Sequence, residues 1–147
     1  DEILVRAGEL VVEPPTTGAL GLEWRIEGDT NRNASVALAW QRAGETEWHE
    51  GAPLFRLQGE AVQQGESFHY VAPNMFAGSI FDLEPGTEYK VRLLLSDPDA
   101  PESSAIERTV SARTRAIPKP ANDGAVYHVY PRDWKGAKEP GSFNDLM

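Results

Sequence analysis

The stretch LEPGTEY, residues 83 to 89, decides the fold of this chain. Proline pre-sets the backbone for the first corner of a turn and glycine tolerates a left-handed conformation, so Pro85-Gly86 predicts a reversal of the chain. A strand follows, because apolar residues recur at every second position from Tyr89 to Leu95. Tyr89 is expected to bury its ring while its hydroxyl bonds to backbone just upstream. The stretch therefore predicts a corner at which the chain passes from one β-sheet to another.

Four other stretches alternate apolar and polar residues with period two, the pattern of strands that bury one face and expose the other. They contain Leu20, Leu22, Trp24 and Ile26; Val36, Leu38 and Trp40; Phe76 to Phe81; and Thr109 to Thr114. Turn-forming pairs such as Pro14-Pro15 and Gly28-Asp29 separate them. The spacings leave no room for helices between strands. The sequence therefore predicts an all-β fold, a two-sheet antiparallel Greek-key sandwich.

The sandwich is expected to occupy residues 1–116, with a less regular region between Gly51 and Asn74. We predict two additional edge strands in that region, joined by a polar loop. Edge placement is favoured because Pro53 and Pro73 cannot donate to a central ladder.

Residues 117–124, IPKPANDG, predict a semi-rigid linker, and residues 125–147 the truncated start of a following domain. Residues 125–131 alternate like a strand. The run Ser142-Phe143-Asn144-Asp145 has the form of a helix N-cap with a carboxylate three residues later. We therefore expect a strand and then a helix in this segment.

The stretch from 83 to 89 resembles the fibronectin type III signature Leu-x-Pro-Gly-Thr-x-Tyr, with Leu83, Pro85, Gly86 and Tyr89 at the matching positions. Pro14-Pro15 before the strand of Trp24, and a closing strand before Arg113-Thr114-Arg115, agree with that family. The resemblance covers roughly residues 9 to 115 and implies a fibronectin type III-like sandwich. The alternation of Trp24 and Trp40 with other apolar residues predicts that both are structural residues that pack in the core.

The middle of the chain also resembles the fibronectin-like domain that precedes the catalytic domain in purple acid phosphatases, through Phe68-His69-Tyr70 and residues 76 to 80. Those enzymes bind their metals in the domain that follows, and Gly28-Asp29 here lacks the tyrosine of their motif. The tail resembles the entry to a right-handed parallel β-helix of exported polysaccharide-acting proteins. Both resemblances imply an N-terminal module of an exported multidomain protein, extracellular or periplasmic, without a metal of its own.

Charge and composition argue against several classes of partner. The chain holds 23 acidic and 14 basic residues, a formal net charge of −9, and should repel DNA or RNA. Its apolar runs are too short to cross a bilayer, so we expect no membrane insertion. The absence of cysteine excludes disulfides and thiolate metal sites.

No pattern of residues predicts catalysis. His49, His69 and His128 lack the spacing of metal ligands, and no Gly-x-Ser-x-Gly occurs. Asp97 and Asp99, with a glutamate nearby, could offer oxygen ligands to calcium, but Asp-Pro-Asp is an ordinary turn former. We therefore expect no catalytic residues, no metal and no cofactor, and the chain is not expected to be an enzyme.

Trp48 and Trp134 lie in polar surroundings and are the candidate contact residues, for a glycan or for a neighbouring domain. Two hypotheses follow. The first is a non-catalytic structural or spacer module that packs against or positions an adjoining domain of the same parent chain. The alternative is a carbohydrate-binding accessory module of a polysaccharide-acting enzyme. Asn33-Ala34-Ser35 is an N-glycosylation sequon, relevant only in a eukaryotic source.

Overall fold

Ten strands form in the computed structural model, which describes residues 2–57, 59–66 and 68–143 but not the side chain of Gln64. They are β1 (Arg6–Val12), β2 (Leu20–Glu27), β3 (Ser35–Arg42), β4 (His49–Glu50), β5 (Phe55–Leu57), β6 (Ala61–Gln64), β7 (Phe68–Val71), β8 (Met75–Ile80), β9 (Glu88–Ser96) and β10 (Ile106–Arg113). A short 3₁₀ helix, Glu102–Ser104, precedes β10. The chain divides into two compact units, Asp1–Ile117 and Pro118–Met147, and these ten strands belong to the first. The boundaries expected at residues 116 and 124 stay predictions.

The first unit is a sandwich of two four-stranded sheets. One has the strand order β1-β2-β8-β5 and the other β10-β9-β3-β4, and neighbouring strands are antiparallel. The chain leaves the first sheet after β2, visits the second sheet and returns to pair β8 with β2, which is a Greek-key path. The predicted all-β fold, a two-sheet antiparallel sandwich of fibronectin type III-like architecture, is confirmed.

The interior is filled by alternate residues of both sheets. Trp24 is fully buried in β2, beside Phe76 of β8. The second sheet contributes Val36 and Leu38 from β3 and Val91, Leu93 and Leu95 from β9. Full burial of one large apolar side chain stabilises a fold by about 1.5–3 kcal/mol. The period-two alternation therefore selects the face of each strand that packs inward.

The predicted corner between the sheets is fixed from two sides. Gly86, which follows Pro85 in the turn, has a φ of +64°, a conformation that would strain a residue with a side chain. Tyr89 is buried, and its hydroxyl accepts the backbone N–H of Glu84 at 2.9 Å. Thr114 is also buried, and its hydroxyl donates to the carbonyl of Glu84 at 2.5 Å. The sequence predicted the tyrosine bond but not the threonine.

A buried ion pair joins the loop after β2 to the edge strand β5. Asp29 is fully buried, and its Oδ2 accepts the Nε–H of Arg56 at 2.5 Å. Its Oδ1 accepts the backbone N–H groups of Asn33 and Ala34 at 3.0 and 3.1 Å. The guanidinium of Arg56 lies over the ring of Phe76, 5.2 Å from the centroid. Both carboxylate oxygens are thus paired, the condition under which a buried charge is tolerated.

Both long edge strands carry a feature that disfavours pairing with another chain. Arg108 of β10 lies opposite the buried Leu93, on the core-facing side of the sheet edge. A charged residue that points inward at an edge opposes edge-to-edge association. In β1 the register shifts between Ala7 and Leu10, a bulge that bends the other edge.

The region between Gly51 and Asn74 differs from the prediction of two edge strands. Three short strands form there, and only β5 joins a sheet edge, beside β8. In the described residues β6 and β7 pair with each other, with Val62 opposite Tyr70, and both side chains are exposed. The prediction is confirmed for one edge strand, β5, and wrong for the other, because alternation shows which residues share a face but not which strand a segment pairs with. The strands β1 and β4 escaped prediction because their alternation is weak or too short.

The strand predicted at residues 125–131 does not form. An isolated parallel bridge joins Val129 and Phe143, and the N–H of Tyr130 donates to the carbonyl of Phe143 at 2.9 Å. A strand needs partners for its backbone groups along its whole length, and a single bridge supplies too few. The helix predicted to follow its N-cap, Ser142, would include residues 144 and 145, which lie outside the described residues. The helix therefore stays a prediction.

Candidate functional site

A concavity of about 850 Å³ lies against the sheet β10-β9-β3-β4. Ala37 and Ala39 of β3 form its floor, because they alternate with the buried Val36 and Leu38 and so face away from the core. Each carries a methyl group, which is the smallest side chain of any residue except glycine. The longer residues of the neighbouring strands rise around them, so the shape of the concavity follows from two alanines on an interior strand.

Trp48 forms one wall of the concavity and contacts Arg92. The tryptophan is half-buried, and the Cζ atom of Arg92 lies 4.4 Å from the centroid of its ring. Arg92 projects from β9 on the same face as Ala39, its partner in β3. A contact of this kind contributes roughly 0.5–1 kcal/mol at an exposed site. The contact engages the guanidinium through the ring and leaves it five N–H donors that can bond to other groups.

Two carboxylates line the same concavity. Glu50 pairs with Ala39 from the β4 side, and Glu107 pairs with Leu94 from the β10 side. Across residues 2–57, 59–66 and 68–143 no ion pair joins Arg92 to either glutamate. The concavity therefore combines guanidinium donors, carboxylate acceptors and apolar surface. Convergent polar groups on an apolar wall are typical of sites for small ligands.

Trp134, the second predicted contact residue, lies in the unit that follows the sandwich and shapes a turn there. Its ring covers Gly136, where a Cβ atom would lie 2.8 Å from the indole. Its Nε1–H donates to the carbonyl of Ala137 at 3.2 Å, and its ring lies 5.6 Å from that of Tyr130. Trp134 is nevertheless 45% exposed. The two predicted contact residues thus have different surroundings, and Trp48 is the one that lines the concavity on the sheet β10-β9-β3-β4.

Most of the residues predicted as structural lie in or against the core, whereas Pro85 is exposed and Gly86 half-buried in the turn. Trp24, Leu83 and Tyr89 are buried, and Trp40 packs against the core while partly exposed. The ring of Trp40 stacks on His49 with centroids 4.6 Å apart and meets Tyr89 edge-on at 5.7 Å. His49 therefore has a packing role at the edge strand β4.

The acidic loop after β9 is bonded to other parts of the sandwich. The side-chain amides of Asn31 and Asn33 donate to Asp99 Oδ2 at 2.6 and 2.9 Å, and these bonds lower the pKa of Asp99 below its ordinary value. Asp97 accepts the backbone N–H of Val5 at 2.8 Å. Among the described residues no three His, Cys, Asp or Glu side chains gather closely enough to hold a metal ion. The loop carboxylates thus tie chain segments together.

Five large apolar side chains are exposed among the described residues of the second unit. Val126 is 79% and Tyr127 69% exposed, and three further large hydrophobic residues are exposed there: Val129, Trp134 and Phe143. Between residues 118 and 143 none is buried, and only Tyr130 and Ser142 are partly shielded. In the part of the chain that the structure describes, no helix is long and apolar enough to cross a membrane.

Sequence reasoning missed Arg92, Glu50 and Glu107 as members of one site. Alternation in the strand after Tyr89 does place Arg92 on the outer face. The order of the strands, which brings Glu50 and Glu107 to the same face, has no local signal in the sequence.

Comparisons with known proteins show likeness in structure only. No family model matches the chain, and no curated protein was found to match it. A computationally redesigned β-sandwich protein is similar with a TM-score of 0.47 and 10% identity, over 76% of this chain and 96% of that one. The fibronectin type III domain of human fibronectin type III domain containing protein 3 has a TM-score of 0.48 and 13% identity, over 79% and 90% of the two chains.

A third similar structure is astrotactin-2, described as a vertebrate-specific, perforin-like membrane protein involved in neuronal development. Its TM-score is 0.43 with 22% identity, and the match covers 76% of this chain but 22% of astrotactin-2. No partner or activity passes to this chain from matches at these identities.

Proposed function

We propose that this chain is a non-catalytic structural module that packs against and positions an adjoining domain of a larger exported protein, in an extracellular or periplasmic location. The exposure of large apolar side chains throughout residues 118 to 143 carries this proposal. Where such side chains lie together, they mark a surface that contacts another protein.

The energetics of this segment favour a covering partner. Fixing the backbone of each residue costs about 1–2 kcal/mol in conformational entropy. A net hydrogen bond, such as that from Phe143 N–H to the carbonyl of His128 at 2.9 Å, returns only about 0.5–1.5 kcal/mol. Since none of the described residues from 118 to 143 is buried, the segment lacks the apolar burial that offsets ordering elsewhere. Contact with a domain surface would cover Val126 and Tyr127 and supply it.

The sandwich suits a structural role. Its interior is filled by side chains such as Trp24 and Leu93, each fully buried. The turn at Gly86 and the ion pair of Asp29 with Arg56 hold its two ends. Many cell-surface modules share this architecture, which is the support for an exported parent.

Hydrogen exchange tests the proposal when it is measured on this chain and on a longer chain that includes the adjoining domain. We expect residues 118 to 143 to exchange rapidly in the present chain and slowly in the longer one, with β3 and β9 protected in both. Tyr127→Ser should restore rapid exchange in the longer chain. The matched change Tyr70→Ser, at an exposed tyrosine of β7, should leave it slow. Strong protection of the segment in the present chain would contradict the proposal.

Carbohydrate binding is a second candidate function, and the position of Trp48 favours it. Trp48 is an aromatic residue in a concavity that also holds a guanidinium and two carboxylates. Sugars present both apolar C–H faces and hydroxyl groups, which aromatic walls and charged hydrogen-bonding groups can recognise together. Titration calorimetry of the chain against a panel of polysaccharides tests this candidate, and heat of binding that Trp48→Ala abolishes is the expected result.

A further inference from the structure

The register of the sheet β10-β9-β3-β4 places the groups of the concavity in a defined order. Glu50, Ala39 and Arg92 lie side by side on three neighbouring strands. Two residues further along the strands, on the same outer face, Ala37, Leu94 and Glu107 form a second row across β3, β9 and β10. Adjacent strands are about 4.8 Å apart, so the sheet spans about 14 Å from β4 to β10. The outer face therefore offers an elongated surface with a carboxylate at each side.

The hydrogen-bonding groups of this surface are complementary to hydroxyl groups. Carboxylates accept hydrogen bonds and a guanidinium donates them, whereas a hydroxyl does both. Arg92 lies against Trp48, with its Cζ atom 4.4 Å from the ring centroid, and this contact restricts the position of its guanidinium before a ligand arrives. Leu94, 39% exposed, adds an apolar surface between Arg92 and Glu107. A ligand rich in hydroxyls and with an apolar side satisfies all of these groups.

Charge distinguishes between classes of such ligands. Two carboxylates and one guanidinium line the concavity, and the whole chain carries a formal net charge of −9. This field repels polyuronates and sulfated glycans, which carry many negative charges. A neutral ligand avoids that repulsion and still uses both glutamates as acceptors.

Backbone pairing argues against an extended peptide as the ligand. Peptides that bind sheets add a strand to a free edge, where unpaired N–H and C=O groups are available. The floor strand β3 is an interior strand, paired with β9 and β4, so its backbone is committed to the ladder. The floor of the concavity therefore has no free strand edge to which a peptide could add.

We infer that this concavity binds a neutral oligosaccharide, with Trp48 holding Arg92 in place, Arg92 donating to sugar oxygens, and Glu50 and Glu107 accepting sugar hydroxyls. The inference rests on the second candidate function and names its ligand class and its residues. The volume of the concavity is about 850 Å³, which falls within the range of roughly 300–1,000 Å³ typical of small-ligand sites.

NMR titration of the full chain tests the inference with neutral gluco-, xylo- and mannohexaose, a hexauronate and an extended decapeptide as probes. We expect one of the neutral hexasaccharides to shift the amides of Ala37, Ala39 and Leu94, and the hexauronate and the peptide to leave them unchanged. Trp48→Ala and Arg92→Ala should each weaken binding by about tenfold or more, as expected for anchor residues. Trp134→Ala is the matched control and should change affinity by less than about twofold.

Three other outcomes would overturn the inference in different ways. Binding of the hexauronate alone at these amides would overturn the neutral class and leave carbohydrate binding standing. Shifts caused by the peptide alone would overturn the inference in favour of a protein ligand. If none of the probes binds, both the inference and the second candidate function fail. Chemical denaturation of each variant shows whether a loss of binding reflects a loss of fold.

Discussion

The two faces of the sheet β10-β9-β3-β4 are built from alternate residues of the same strands and do different things. On the inner face Val36, Leu38, Val91 and Leu93 are buried. On the outer face Ala37, Ala39, Arg92 and Leu94 line an open concavity. One pleated backbone therefore carries a face that determines stability and a face that is available for a ligand.

This difference separates the effects of mutation. A change on the inner face leaves a cavity that the close-packed surroundings cannot fill, so its cost appears in the free energy of unfolding. A change on the outer face alters groups that water can reach, so its cost appears in binding. Variants from both sides test the comparison, from the largest expected effect on stability to the smallest.

Trp24→Ala should cause the largest loss, roughly 3–5 kcal/mol of unfolding free energy, because it empties the fully buried centre of β2. Chemical denaturation measures this loss. Trp24→Phe is the control and should cost less, since among the described residues no acceptor reaches the buried indole Nε1–H of Trp24. Equal losses for the two variants would contradict the cavity argument.

Asp29→Asn should cost about 3 kcal/mol, because it leaves Arg56 without its buried counter-charge. Asparagine keeps the size of the side chain and tolerates the φ of +51° at this position. The exposed pair of Arg42 and Glu84 offers a comparison, and Glu84→Gln should cost less than about 1 kcal/mol. Urea denaturation measures the unfolding free energy of both variants. A loss for Asp29→Asn no larger than that for Glu84→Gln would contradict a stabilising role of the buried pair.

Tyr89→Phe should cost about 1–3 kcal/mol, because the N–H of Glu84 loses its acceptor at the corner. Tyr130→Phe removes the acceptor of the Glu139 N–H in an exposed setting and should cost less. Thermal unfolding of the two variants side by side gives the difference. A neutral Tyr89→Phe would mean that the corner does not depend on the hydroxyl.

Trp48→Ala should cost about 1 kcal/mol or less, since its ring is half-buried and its contact with Arg92 lies at the surface. The same variant should lose saccharide binding. A loss of unfolding free energy as large as that of Trp24→Ala would place Trp48 with the inner face and break the comparison.

Arg108→Val should change the unfolding free energy by less than about 0.5 kcal/mol, yet favour association of the chain at high concentration. Arg108 lies on the inward side of the edge strand β10, where valine removes the charge that opposes pairing. Thr109→Val on the outward side is the control and should remain as dispersed as the parent. Sedimentation velocity over a range of concentrations distinguishes the two.

The predictable part of this molecule is local in the chain. Alternation predicted the buried faces of β2 and β9, and LEPGTEY predicted a corner at which Tyr89 bonds to backbone. The buried threonine of that corner, Thr114, and the partner of Asp29, Arg56, lie 30 and 27 residues from the groups they bind. Such pairings depend on which strands meet, so periodicity along the chain does not reveal them.

The candidate site shows the same division. Trp48 was predicted as a contact residue from its polar surroundings, whereas its neighbours Arg92, Glu50 and Glu107 come from three different strands. Trp134 had equally polar neighbours in the sequence, yet its ring covers Gly136 and its indole N–H is bonded locally.

By itself the sequence determined the class of fold, because the period of its apolar residues selects strands and its turn residues limit their length. Tertiary structure decided which side chains share a face and where a concavity opens. The physical reason is that strand order and register set the distances between residues remote in sequence, and those distances decide whether an arginine, a tryptophan and two glutamates act together.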